Sequence, residues 1–94
     1  MLYRGEYNFG LRDSHYVLYF NSNKTLIECR ESFVNILIKR IQKDIDDNVS
    51  GFDINELSKK IELLKTYKEV FIKDGNTSFE YCHLSLNDIT VVEL

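Results

Sequence analysis

Two stretches of apolar residues with helical spacing occupy the middle of the chain and limit what it can fold into. The first stripe is Phe33, Val34, Leu37, Ile38, Ile41 and Ile45, and the second is Ile54, Leu57, Ile61 and Leu64. In each stripe the apolar residues recur every three or four positions, which places them on one face of a helix. Two such helices joined by a short loop form an αα-hairpin, and its apolar side needs a second layer to cover it.

The segments before the helices are predicted to be β-strands. LYRGEYNF alternates, with Tyr3, Tyr7 and Phe9 on one side, which is typical of a half-buried strand. HYVLYF carries apolar groups on both sides, which favours a central strand of a sheet. Residues 25–30, TLIECR, fit either a third strand or the first turns of the following helix. We favour the strand, because apolar and charged residues alternate there.

The segment after the second helical stripe predicts a β-hairpin. In EVFIKDGNTSFEY, Asp74 and Gly75 separate two alternating runs, and both residue types tolerate the positive φ of a type I′ turn. The sequence SLND is then typical of a turn, and ITVVEL of a last strand. The pairs expected in the hairpin are Val70 with Phe79 and Ile72 with Thr77, with Tyr81 on the same face.

These elements predict an α+β fold, a single domain over residues 1–94. The expected element order is β-β-(β)-α-α-β-β-β, and the expected architecture is an antiparallel sheet with the helical hairpin packed on one face. A chain of 94 residues is long enough to bury a modest core.

Composition narrows the classes of function. A net charge of −3 argues against general affinity for nucleic acid, which comes mainly from cations on phosphates. We expect no signal peptide and no membrane span, and therefore a cytoplasmic protein. Cys29 and Cys82 are predicted to be reduced core residues, with one long-range disulfide as the alternative. Together with His15 and His83 they lack the close ligand pairs of a zinc site, so no metal and no cofactor are predicted.

The stretch DDNVSGFDINEL, residues 46–57, resembles the first half of an EF-hand calcium loop. Asp46, Asn48 and Ser50 with Gly51 follow the early ligand positions, but Glu56 falls one place before the position of the bidentate glutamate. A helix N-terminus accounts for more residues, with Asp53 as the N-cap, Glu56 as its capping-box partner, and Phe52 and Leu57 as a hydrophobic staple. The stretch therefore predicts helix capping and no calcium site.

No arrangement of residues predicts catalysis. Asp13, Ser14 and His15 are consecutive, whereas the members of a catalytic triad come from distant positions. The carboxylates of Asp44 and Asp46 lie at a helix end where little would desolvate them. We therefore expect no catalytic residues and no enzyme.

Six tyrosines and a group of acidic residues are the candidate binding features. Tyrosine is favoured at interfaces, although tyrosines can equally line the core with the hydroxyl reaching water. An acidic group can attract a basic partner, although it can also be a solvated helix end. The candidate partner-binding residues are Tyr3, Tyr16, Tyr19, Asp44, Asp46 and Asp47.

The function expected from these features is that of a small non-enzymatic protein-binding module. Its size and composition are those of inhibitors and accessory proteins encoded by phages and mobile elements, including anti-CRISPR proteins. Exposed edge strands would allow a homodimer. The alternative is a nucleic-acid-binding accessory protein that uses the lysine-bearing helix faces, and a third possibility is a small molecule bound between sheet and helices. The lysines and arginine concerned are Lys39, Arg40, Lys43, Lys59, Lys60, Lys65 and Lys68.

Overall fold

The computed structural model describes residues 1–8, 15–48, 51, 53–79 and 82–89, which form two helices and four strands. The elements are β1 (Leu2–Asn8), β2 (His15–Asn21), α1 (Leu26–Asp46), α2 (Ile54–Asp74), β3 (Asn76–Phe79) and β4 (Cys82–Asp88). All strand pairs are antiparallel, and the strand order is β2-β1-β4-β3. The predicted α+β class, an antiparallel sheet with a helix pair, is confirmed.

The core lies between the helices and one face of the sheet. Alternate residues of β1 and β4 point to this face, and Tyr3, Tyr7, Leu84 and Leu86 are buried there. Gly5 lies between them, and a Cβ atom at this position would come within 3.3 Å of the Phe33 ring. Its missing side chain lets α1 pack closely against the sheet. Cys29 and Cys82 are both buried, as predicted.

Helix α1 begins earlier than expected, and the strand predicted for residues 25–30 is wrong. Thr25 is the N-cap, because its Oγ1 accepts a hydrogen bond of 3.2 Å from the backbone N–H of Glu28. The same hydroxyl donates to the Glu28 carboxylate over 3.1 Å. A threonine followed three residues later by glutamate is a capping-box pattern. This pattern and the shared helical spacing of Leu26, Cys29 and Phe33 outweigh the short alternation.

Helix α2 continues to Asp74, and the hairpin predicted around Asp74 and Gly75 is wrong. Gly75 ends the helix as a left-handed C-cap with a φ of 72°, and its N–H bonds to the Phe71 carbonyl. Positive φ serves a helix C-cap as well as a type I′ turn, so the Asp-Gly pair does not separate the two. Val70 and Ile72 are therefore helical and do not pair with Phe79 and Thr77.

The last part of the sheet also differs from the prediction. Strand β3 pairs with β4, and Ser85–Asp88, which was predicted to be a turn, belongs to β4. The predicted last strand, ITVVEL, begins at Ile89, and its residues 90–94 lie outside the described residues, as do Phe9 and Tyr81.

The HYVLYF segment forms β2, which is an edge strand, so the prediction of a central strand is wrong. It pairs with β1 along its whole length, from His15 to Asn21. Six of its seven residues are exposed and Phe20 is half-buried. Apolar side chains on both faces therefore mark an incompletely covered strand.

A buried arginine connects α1, α2 and β4. Arg30 is 7% exposed, and its guanidinium donates to the Leu86 carbonyl (2.9 Å), the Ile72 carbonyl (3.0 Å) and the Asn87 side-chain oxygen (2.8 Å). The Ile72 carbonyl belongs to the C-terminal turn of α2, where the helix dipole favours a cation. Asn87 in turn donates to the Gly75 carbonyl over 3.2 Å. Arg30 thus fixes the end of α2 against the sheet.

The connection between the helices follows the capping prediction at its N-cap. Asp53 is the N-cap of α2, and its carboxylate accepts a bond of 2.9 Å from the N–H of Asn55. Asn48 and Gly51 have φ values of 50° and 94°, which turn the chain between the helices. Phe52 of the predicted staple lies outside the described residues.

Neither described helix is both long and apolar enough to span a membrane.

Candidate protein interaction edge

Strand β2 is seven residues long, and no second strand of the described residues pairs with its outer edge. Within the described part of the chain, β1 is its only strand neighbour. Tyr16 is 43% and Tyr19 is 63% exposed, and Val17 and Leu18 between them are also exposed. A long apolar edge strand can pair with a strand of another chain, and natural proteins usually protect such edges with charges, bulges or shortness.

The hydrogen bonds at the end of β2 show which of its residues bond to β1 and which face outward. The amino group of Met1 donates to the Ser22 carbonyl (3.0 Å), and the N–H of Ser22 donates to the Met1 carbonyl (3.1 Å), so the two form a hydrogen-bonded pair. Such pairs alternate along an antiparallel ladder. The backbone groups of Tyr16, Leu18 and Phe20 therefore face β1.

The remaining residues of β2 present their backbone groups at the open edge. These residues are His15, Val17, Tyr19 and Asn21. The opposite side of β1 agrees with this phase, because the N–H of Ile89 donates to the Leu2 carbonyl over 3.1 Å. Leu2 is opposite Asn21 in the register of β1 and β2, but the Leu2 carbonyl faces β4. Leu2 and Asn21 are therefore a non-hydrogen-bonded pair, and the backbone groups of Asn21 face away from β1. The open edge thus offers a row of N–H and C=O groups to another strand.

Helix α1 flanks this edge on the core side of the sheet. Ile36 is 55% exposed, and it lines a shallow cavity of about 240 Å³ between α1 and β2 together with Leu18 and Phe20. One turn further along α1, the Arg40 guanidinium lies 5.1 Å from the centre of the Tyr16 ring. Tyr16 also stacks on Tyr7 with ring centres 5.2 Å apart. We call the open backbone edge of β2, with Tyr16, Val17, Leu18, Tyr19, Phe20 and Ile36, the β2 edge surface.

The predicted tyrosines occupy three different environments. Tyr16 lies on the core side of β2 and Tyr19 on the opposite side, so both belong to the β2 edge surface. Tyr3 is 1% exposed, and its hydroxyl donates to the Lys24 carbonyl over 2.9 Å. Burial raises the pKa of the Tyr3 hydroxyl. Tyr3 is therefore a core residue and is not presented to a partner.

The predicted aspartates lie along the last turns of α1. Asp44 is half-buried and lies close enough to Tyr7 to add to the rise in the pKa of Tyr7, of which burial is the main cause. Asp46 accepts a hydrogen bond from the Gln42 side chain at 2.9 Å, and Asp47 is the C-cap residue of α1. Asp44 is thus near the Tyr16 end of β2, whereas Asp46 and Asp47 mark the helix end.

Sequence reasoning missed the contribution of Val17, Leu18 and Ile36 to this surface. The signal was present in β2, because an apolar run on both faces is shared by central strands and uncovered edges. Ile36 falls between the apolar positions of the α1 stripe and was the available sign of a second apolar surface on that helix.

The opposite face of the sheet carries a polar cluster around Glu6. Its carboxylate lies 3.1 Å from His15 Nε2, 3.1 Å from Arg4 Nη2 and 3.9 Å from His83 Nε2. The hydrogen bond from His15 is the largest cause of the lowered pKa of Glu6. His83 Nδ1 is 2.9 Å from the Ser78 hydroxyl. The cluster links β2, β1, β4 and β3 across the face.

The Ser78–His83–Glu6 chain has the residue order of a hydrolytic triad, but its geometry is that of a surface network. The 3.9 Å between His83 and Glu6 exceeds a hydrogen bond, and Ser78 is exposed to solvent. Of the triad considered in the sequence, Asp13 and Ser14 lie outside the described residues. Among the side chains that the structure describes, no group of three or more histidine, cysteine, aspartate or glutamate residues is placed to hold a metal ion.

Comparison of the chain with protein-family models, with curated proteins and with solved structures finds no match.

Proposed function

We propose that the protein is a small non-enzymatic protein-binding module that binds through the β2 edge surface. The observation that supports this proposal is a seven-residue strand that exposes apolar side chains and whose outer edge has no strand partner among the described residues. Another strand satisfies such groups with main-chain hydrogen bonds, and its side chains cover the apolar residues on both faces. A protein partner therefore matches both features of the surface.

A small molecule and a nucleic acid each match fewer features of the β2 edge surface. The cavity beside Leu18 and Ile36 is about 240 Å³ and open to solvent, whereas small-molecule sites are clefts of roughly 300–1,000 Å³ that enclose the ligand. Strand β2 itself carries no lysine or arginine that could bind phosphate.

The alternative of nucleic-acid binding concerns the helix lysines. Lys68 is occupied by Asn35 (3.0 Å) and approaches Glu31 (3.9 Å), and burial lowers the pKa of Lys60. The contacts of Lys68 leave its ammonium group less available to phosphates. This alternative is tested by retention on short single strands and duplexes at low salt, since a salt-dependent interaction would support it.

An inhibitor is a narrower form of the main proposal. An inhibitor acts by covering a surface of its target, and strand addition at β2 would place the whole module against that surface. The phage or mobile-element origin and the cytoplasmic location belong to the same narrower proposal, and genes adjacent to this one would test the origin.

The protein-binding proposal is tested by site-specific photo-crosslinking in the native cell. A benzophenone amino acid replaces Tyr19 on the β2 edge or Val70, an exposed apolar residue of α2, as the control. We expect one stoichiometric protein adduct from position 19 and none from position 70. Equal labelling at both positions, or no protein adduct from position 19, would overturn the proposal.

A further inference from the structure

We propose that the partner bound at the β2 edge surface is a second copy of this chain, paired antiparallel about a two-fold axis at Leu18. This inference rests on the proposed function, since it names the occupant of the same surface. The two four-stranded sheets would join through β2 into one continuous sheet. Three observations support this pairing: the phase of the backbone hydrogen bonds, the symmetry of the side chains about Leu18 and the absence of Asp, Glu, Lys and Arg from β2.

The phase of the backbone selects the register. Antiparallel pairing joins outward-facing residues to outward-facing residues, and on β2 these are His15, Val17, Tyr19 and Asn21. With the axis at Leu18, His15 pairs with Asn21 of the second copy, and Val17 pairs with Tyr19. All the outward N–H and C=O groups of both strands are then bonded. A two-fold axis at Val17 or at Tyr19 would also pair outward-facing residues with each other. In those registers, however, fewer residues of the two β2 strands lie opposite one another.

The side chains of β2 are symmetric in kind about Leu18. The sequence HYVLYFN reads polar, aromatic, apolar, Leu, aromatic, aromatic, polar. In this register Tyr16 lies opposite Phe20 of the second copy on the core side, and Val17 lies opposite Tyr19 on the other side. Aromatic pairs and aromatic pairs with β-branched residues are favourable across strands. A strand of unrelated sequence need not carry residues of the same kinds at equal distances from the residue opposite Leu18. A second copy always does.

Charge and helix packing agree with self-pairing. No Asp, Glu, Lys or Arg occurs in β2, so the two-fold axis brings no like charges opposite each other within the strand pair. Ile36 lines the cavity beside Leu18, so the axis at Leu18 brings Ile36 of both copies to the same side of the joined sheet. A second copy in this position would cover Leu18, and its helix layer would lie on the same side of the sheet as Ile36. A pair of seven-residue strands makes a small interface, and small interfaces are typical of weaker association, so we expect a concentration-dependent dimer.

The register is tested with a cysteine at the axis. In the proposed pairing, Leu18 and Leu18 of the second copy form a non-hydrogen-bonded pair, whose Cα atoms are about 4.5 Å apart and within reach of a disulfide. Leu18→Cys should form a disulfide-linked dimer under mild oxidation. Val70→Cys, at an exposed position on α2, is the control and should remain monomeric on denaturing gels. Absence of a Leu18→Cys dimer, or equal dimer from both variants, would overturn the register.

The dimer itself is tested by sedimentation of the unmodified chain from ~1 to ~200 µM, where mass action should convert monomer to dimer. Val17→Pro removes an N–H that faces the open edge and none that faces β1, a position where an edge strand accepts proline. We expect this variant to keep the circular dichroism spectrum and to sediment as a monomer at every concentration.

The outcomes separate this inference from the proposed function. A monomer at all concentrations together with a foreign adduct from position 19 would overturn the second copy and leave protein binding in place. A monomer with no adduct at position 19 would overturn both. A Val17→Pro variant that dimerises like the unmodified chain would also overturn the pairing through β2.

Discussion

The two outer strands of the sheet differ in length, composition and cover, although both end the same sheet. Strand β3 has four residues, of which Asn76 and Ser78 are exposed and polar. Its one large apolar residue, Phe79, is buried and stacks on Tyr67 with ring centres 4.7 Å apart. Strand β2 has seven residues and exposes four large apolar side chains. Edges that are not meant to pair are kept short and polar, and by this measure only β3 is protected.

The two ends of the sheet are also fixed differently. At the β3 end, Arg30 and Asn87 bond to the last turn of α2 and to its cap, so helix and sheet are tied by partly buried hydrogen bonds. At the β2 end, α1 covers the strand incompletely, and the contacts include the exposed Arg40 over Tyr16. The β3 end is therefore tied into the core, whereas the β2 end is the one that we propose for association.

The largest expected effect is at the β3 end. Arg30→Met leaves the buried carbonyl of Leu86, the Ile72 carbonyl and the Asn87 side chain without their donor, and each buried unsatisfied group costs about 1–3 kcal/mol. We expect the free energy of unfolding in urea to fall by about 3 kcal/mol or more. Arg40→Met is the matched control at the β2 end and should cost under about 1 kcal/mol, the size of an exposed cation–π contact. Equal losses would remove the contrast between the two ends.

The C-cap glycine gives the next effect. At Gly75, alanine would need a φ near 72° and its Cβ would collide with the Arg30 guanidinium. Gly51 also has positive φ, 94°, but nothing lies within 4 Å of an added Cβ. Gly51→Ala should therefore show the backbone strain alone, about 1–3 kcal/mol, and Gly75→Ala should exceed it. Thermal unfolding of the two variants measures the difference, and a smaller loss for Gly75→Ala would contradict the packing of Arg30.

A smaller effect concerns pH and the polar cluster that reaches from β2 to β3. The pKa of Glu6 is lowered in the folded protein, mainly by its hydrogen bond to His15. A lowered folded pKa stabilises the protein above the ordinary carboxyl pKa, and this contribution is lost as pH falls through the folded pKa. Glu6→Gln should remove it, which flattens the acid side of the stability curve below about pH 4.5 by less than about 1 kcal/mol. An unchanged acid limb in urea titrations would show that the cluster contributes nothing.

The smallest effect concerns the acidic end of α1. Asp46 and Asp47 lie at the negative end of the helix dipole, where a cation is favourable and a carboxylate is unfavourable. Asp46→Asn and Asp47→Asn should each raise the free energy of unfolding by about 0.3–1 kcal/mol, whereas Lys43→Gln in the same turn should lower it. Sedimentation of the aspartate variants should match that of the unmodified chain, because these residues lie at the end of α1 and are not part of the β2 edge surface. If these variants failed to associate, Asp46 and Asp47 would have to be part of the binding surface.

The helices were predictable from the sequence because a 3.6-residue period is sustained over many residues. Their ends were harder, because local signals are shared by different structures. Asp74-Gly75 suits a hairpin turn and a helix C-cap equally well, and the buried face of α2, which extends to Phe71, decides in favour of the helix. At Thr25 the signal was readable, since Glu28 completes a capping box that the short strand pattern obscured.

The interaction edge was only half predictable. Tyr16 and Tyr19 are residue types that interfaces favour, and both are exposed on β2, while Tyr3 has the same chemistry and is buried. Sequence cannot separate them, because burial depends on which strand lies at the edge. The Arg30 contacts could not be foreseen either, since Leu86 and Asn87 are 56 and 57 residues away along the chain.

Amide hydrogen exchange along β2 tests the central claim most directly. The N–H groups of Leu18 and Phe20 face β1 and should be protected at every protein concentration. Those of Val17 and Tyr19 face the open edge, and we expect them to exchange rapidly in dilute solution and to become protected as the concentration rises. Val17 and Tyr19 amides that exchange rapidly at all concentrations, or that are protected even in dilute monomer, would contradict pairing of β2 with a second copy.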